Sequence, residues 1–179
     1  MPSLIRIQAF YPNSFYLVYN SGNNRERLFY TQRNYKYFLE KYDQYLSDFI
    51  NTCSYCLIPQ HFRLLVKTPK KVDKISNQFR KLFITYSQSI NIQENRIGSL
   101  FLKPFRRKRI TNYNYLLNII SHIHNIPVHH KICNRMEDYQ WSSYKTILSN
   151  SSTRSIKEEV IELFGCKEKF IQYHQEIQN

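Results

Sequence analysis

Two short stretches hold the side chains best suited to chemistry: residues 55–67, YCLIPQHFRLLVK, and residues 121–128, SHIHNIPV. In the first, Leu57-Ile58 ends one apolar run, Pro59-Gln60 bends the chain, and Phe62 to Val66 forms a second run. This is the pattern of two strands meeting at a tight turn. Side chains two apart on a strand point to one face, about 7 Å from each other. His61 and Arg63 therefore share a face with Leu65, and Phe62, Leu64 and Val66 share the opposite one. Such spacing suits a strand-borne pair of metal ligands, but the second member is an arginine. A guanidinium stays protonated in proteins and has no lone pair for a metal. It can instead hold a phosphate.

The second stretch places His122, His124 and Asn125 near the end of an apolar helix. Histidine can act as a nucleophile or as a metal ligand, so His61, His124, His129 and His130 are candidates to complete a metal site. Against that, His129 and His130 are adjacent, and adjacent side chains diverge in most backbones; they extend the basic surface. Tyr115 lies on the helical face of His122 but about 10 Å away along the axis, which suits a packed or interfacial tyrosine. Cys53 and Cys56 form a CxxC whose spacing on a strand sends the thiols to opposite faces. No second CxxC accompanies it, which argues against zinc.

The chain carries 26 Lys+Arg against 13 Asp+Glu, a formal charge of +13, with aromatics at 16%. Such a surface attracts polyanions and makes binding salt-dependent. The densest basic segment holds Lys103, Arg106, Arg107, Lys108 and Arg109, and a loop after the first strand adds Arg25 and Arg27. Tyr30 and Phe105 are aromatic neighbours able to stack unpaired bases. Four cysteines in 179 residues make no disulfide framework. The opening MPSLIRIQAFYPN has no apolar run of signal-peptide or membrane length, so a cytoplasmic protein is expected.

The elements that must position these residues follow from periodicity. Phe15 to Asn20 reads as a strand closed by Ser-Gly-Asn-Asn. Tyr35, Phe38, Leu39, Tyr42, Tyr45 and Leu46 make a helical stripe, with the tyrosines at the core or its rim. Phe49 to Ile58 and Phe62 to Lys67 are antiparallel strands. Val72 to Ile90 repeats the helical spacing, and Leu100 to Ile110 follows the Gly98 break as a last strand. Thr111-Asn112 caps a helix from Tyr113 to about Asn125. Ser155 to Glu158 reads as a capping box opening a helix that Gly165 ends, and a final helix runs to about Gln175. Ser149 to Thr153 reads as a loop. No composition break divides residues 1–179, so one domain is expected, with a core over 14–126 and a helical extension over 127–179.

Residues 55–67 resemble the histidine-hydrophobic-histidine strand of the IS200-like single-tyrosine transposases, most closely the REP-associated branch. Further blocks occur in the family's order: Tyr19 to Asn24, Gly98 to Phe101 with Pro104-Phe105, Ile123-His124 with Pro127, and Asp138 to Tyr144. The resemblance spans about residues 14 to 174. It implies an α+β, ferredoxin-like βαββαβ antiparallel sheet with helices on one face plus C-terminal helices, and a hairpin or single-stranded DNA partner.

The resemblance also implies which positions to inspect. A tyrosine on the last core helix attacks a phosphodiester, assisted by Mg2+ or Mn2+ held by two histidines and a polar residue of that helix. Here His61 matches the first ligand, Arg63 stands at the second, His122 at the nucleophile, and Ile126 at the polar ligand, with Asn125 one residue away. His124 matches a structural histidine. Loss of the ligand set implies no resident cofactor, or Mg2+ or Mn2+ if the chain is active. Relatives occur as dimers and as monomers, so a homodimer is one expectation. Three readings stand open: a DNA-binding protein that has lost strand cleavage, with Arg63, Arg25, Arg27 and the 103–109 cations as contacts; a working transposase or nickase with an altered site; and an interaction scaffold.

Overall fold

The computed structural model describes residues 9–149 and 156–178. Four strands, β1 (Phe15–Ser21), β2 (Asn51–Ile58), β3 (His61–Lys67) and β4 (Arg106–Ile110), form one antiparallel sheet in the order β2-β3-β1-β4. With α1 (Gln32–Leu46) after β1 and α2 (Ile75–Gln93) after β3, this is the expected split βαβ, ferredoxin-like α+β arrangement.

Strand alternation gives the sheet two apolar faces. Tyr16, Val18, Phe62, Leu64 and Val66 face one core, where Phe38 of α1 and Phe79, Phe83 and Tyr86 of α2 close over them. Phe38 and Phe62 meet with ring centroids 5.3 Å apart, and Phe62 and Phe83 at 5.7 Å. Phe62 is wholly buried, and its truncation to alanine would cost about 3–5 kcal/mol. Leu17, Leu65 and Ile110 face the other core, covered by α3 (Tyr113–His129) and by the later helices α4 (Tyr144–Leu148), α5 (Lys157–Phe164) and α6 (Lys167–Gln178). Helices thus cover both faces, two from the core repeat on one and the C-terminal set on the other.

Three expectations are corrected. First, Cys53 and Cys56 both lie in the second core, because the register shifts between Thr52 and Ser54 and the extra residue returns Cys53 to the face of Cys56. Burial pushes both thiols up, Cys56 well above the ordinary value. Second, the last strand is only Arg106–Ile110. Leu100 and Leu102 instead bond the end of β1 and the turn after it, with Asn23 N–H donating to Leu100 O at 2.8 Å and Leu102 N–H to Ser21 O at 3.0 Å. Third, α3 continues through Pro127 to His129. Bonds from His130 N–H to Ile126 O at 2.9 Å and from Ile132 N–H to Pro127 O at 2.8 Å hold this end. Asn112 caps the helix by accepting from Tyr115 N–H at 2.8 Å.

The block around Trp141 closes the sheet edge. Leu57 N–H donates to Trp141 O and Ser143 N–H to Tyr55 O, each at 2.9 Å, so the outer edge of β2 is paired. Trp141 stacks on Tyr35 at 4.7 Å. Gly165, at φ 93°, ends α5 as expected. Ser155 of the expected capping box, and the expected loop beyond Ser149, lie outside the described residues.

Candidate nucleic-acid interface

Register carries the sequence's two chemical stretches to one place. Arg63 of β3 pairs with Tyr19 of β1, which on its other side pairs with Arg106 of β4. Paired residues share a face, so Arg63, Tyr19 and Arg106 form a row on the α3 side of the sheet. In the next row on that face Lys108 lies beside Leu17 and Leu65. Helix α3 crosses above. Its Tyr115 ring lies 4.8 Å from Lys108 Nζ, His122 reaches Arg63, and the ring of His130, just past its end, lies 5.0 Å from that of His61.

The contact between Arg63 and His122 fixes a protonation state. Arg63 Nη1 donates to His122 Nε2 at 2.7 Å, because arginine has only donors. His122 Nε2 is therefore the acceptor nitrogen of a neutral ring. His122 as a residue is exposed, but this nitrogen turns inward onto the guanidinium. Burial and then the Arg63 charge hold its pKa below the ordinary histidine value. The lone pair needed for nucleophilic attack is already occupied. His61 is lowered further, to about 4, by burial first and then by His130, Arg63 and His122. Its Nε2 is buried without a hydrogen-bond partner among the described residues.

These residues do not fit a resident divalent ion. His61 supplies one neutral donor, but the second position is a fixed cation whose field opposes a metal. Ile126 is 2% exposed and packs in the second core. Asn125 Oδ1 is buried without a partner, yet no cluster of three or more His, Cys, Asp or Glu able to hold a metal occurs among the described residues.

His124 is removed from any such cluster. It is fully buried in a chain that runs from Ser143 to His124 Nε2 at 2.8 Å, and from His124 Nδ1 to His174 Nε2 at 2.9 Å. His174 Nδ1 meets Phe170 O at 2.7 Å. The carbonyl can only accept, so His174 Nδ1–H donates to it; His124 Nδ1–H then donates to His174, and the Ser143 hydroxyl to His124. Burial holds His174 at about 4 and His124 well below its ordinary value, both neutral. This chain joins α3 to α6 and, through Tyr55 N–H donating to Ser143 Oγ at 2.9 Å, to β2.

The basic candidates divide by strand parity. Arg106 and Lys108 are exposed on the face of Arg63. Arg107 and Arg109 point the other way. Arg107 lies 4.3 Å over Phe10 and 5.2 Å over Phe105 and donates to Ser76 Oγ at 3.0 Å, and Arg109 lies 4.9 Å over Tyr11. Lys103, Arg25 and Arg27 are exposed in the loops near the His61 end of the sheet. Phe105 packs on Phe79 and Phe83, and Tyr30 is partly buried against the first core. In the sequence Tyr19 only opens the block Tyr19 to Asn24; its place between two arginines emerges from the pairing register. Among the described residues, no helix is long and apolar enough to cross a membrane.

No family model matches the chain, and no curated protein matches it. Among solved structures it is similar to that of a REP-associated tyrosine transposase bound to a REP hairpin. The TM-score is 0.69 at 15% sequence identity, over 83% of this chain and 86% of the other. The likeness is one of fold.

Proposed function

We propose that this chain is a DNA-binding protein of the IS200-like, REP-associated transposase family that holds hairpin or single-stranded DNA without cutting it. The contact between Arg63 and His122 carries the reading. At the positions where the family's second metal ligand and nucleophile would meet, a permanent cation lies against a neutral imidazole. That pair can neutralise a phosphate oxygen, but it offers neither a hydroxyl to attack one nor a lone pair to bind a metal. Arg63 uses one N–H on His122, and its other donors have no partner among the described residues. Arg106, Lys108, Lys103, Arg25 and Arg27 extend the positive surface along which a DNA backbone would run. A DNA partner implies the cytoplasm as the working compartment, with residues 1–179 acting as one domain.

Labelled hairpin DNA incubated with the protein and Mg2+ or Mn2+, then run on native and denaturing gels, tests this reading. The expected result is a shifted hairpin on the native gel, weakening steeply with salt, and intact, protein-free DNA on the denaturing gel. A covalent protein-DNA band would establish a working nickase and overturn the proposal. Equal indifference to hairpin, duplex and random strand would leave an interaction scaffold.

A further inference from the structure

We infer that Tyr19 is a stacking platform for one unpaired base of the bound strand, with Arg63 and Arg106 holding the phosphates to either side. This rests on the DNA-binding reading above and names the part of the ligand that the row Arg63–Tyr19–Arg106 takes.

Tyr19 is unlike the chain's anchored tyrosines. Tyr16, Tyr86 and Tyr139 donate their hydroxyls to carbonyls at 2.9, 2.7 and 2.6 Å, and Tyr42 and Tyr45 bond threonine hydroxyls at 2.7 and 3.0 Å. Tyr19 is partly exposed, and neither its hydroxyl nor its ring has a hydrogen-bond, stacking or cationic partner among the described residues. It is therefore a large, partly exposed aromatic side chain at the border of the second core, with a hydroxyl bonded to no described residue.

Its neighbours give the ligand's chemistry. Tyr19 lies on β1, between β3 and β4, so its register partners Arg63 and Arg106 flank it at the strand spacing of about 4.8 Å on either side. Arg106 is exposed and has no partner among the described residues. Two cations flanking an aromatic ring repeat the alternation of a single strand, phosphate, base, phosphate. A duplex, with its bases already stacked and paired, offers no free base to this ring. Packing alone gives a different role: Tyr19 borders the second core, and its ring could serve only to cover it.

Leucine at position 19 keeps apolar cover and removes the ring face, so it separates the two roles. Binding is measured to one hairpin in two forms, blunt or with a short unpaired tail carrying a fluorescent adenine analogue. The wild-type protein is expected to bind the tailed form about tenfold more tightly and to quench the analogue by stacking. Tyr19→Phe keeps both effects. Tyr19→Leu loses both, while its melting temperature stays at the wild-type value. Tail preference and quenching that survive in Tyr19→Leu overturn the stacking assignment and leave the proposed function standing. So does a wild-type protein that binds tailed and blunt forms alike. A wild-type protein that binds neither overturns the proposed function itself, and this inference with it.

Discussion

His122 and His124 are two residues apart on the same helix, yet their surroundings have nothing in common. His122 stands at the surface with one nitrogen on Arg63. His124 has no exposed surface, and both its nitrogens are committed, one to Ser143 and one to His174. Helical geometry causes the split, since two positions along the helix is a rotation of about 200°. One side of α3 therefore carries His122 against Arg63, and the other holds His124 against Ser143 and the C-terminal helix α6. A histidine's chemistry is set by what its two nitrogens touch, and only His122 has a nitrogen to spare.

Replacing each histidine by alanine is the strongest way to break this contrast. His124→Ala strands the buried nitrogen of His174 and leaves a void, so a loss of about 3–4 kcal/mol is expected, read as a clear fall in melting temperature. His122→Ala should change stability by no more than about 0.5 kcal/mol. Equal losses would mean the two sites are not distinct.

Acid should separate them next. His174 has its ordinary value of 6.5 when unfolded and about 4 when folded, so the unfolded chain binds its proton more readily. Its stabilising contribution is whole above pH about 6.5 and disappears as the pH falls through about 4. Denaturant unfolding should show about 3 kcal/mol lost across that window, less in His124→Ala. A flat profile would contradict the neutral relay.

The β4 cations extend the contrast to a strand. Arg106→Ala with Lys108→Ala should weaken hairpin binding by about 30-fold or more and reduce the salt slope by about two, without a change in melting temperature. Arg107→Ala should do the reverse, lowering stability by about 1 kcal/mol through its lost contacts with Phe10 and Phe105 and leaving binding nearly intact.

Much of this was legible in the residues. Strand parity separated His61 and Arg63 from Phe62 and Leu64, and helical stripes located α1 and α2, because burial on one face writes its period directly into the chain. What failed were features that depend on distant partners. The bulge that brings Cys53 and Cys56 to one face has no local signature. The bonds of Leu100 and Leu102 to the end of β1 and the turn after it shorten β4, and only folding reveals them. His174 sits on a weakly patterned helix, and its role follows from meeting His124. Arg107 and Arg109 are indistinguishable in sequence from Arg106 and Lys108 until one knows which face of an edge strand is open.

The affinity of hairpin DNA for the wild-type protein and for Arg63→Ala, measured across a salt series, tests the central claim most directly. If Arg63 holds a phosphate where a metal would otherwise sit, the variant should bind about tenfold more weakly, with a salt slope smaller by about one. Unchanged affinity and slope would contradict it.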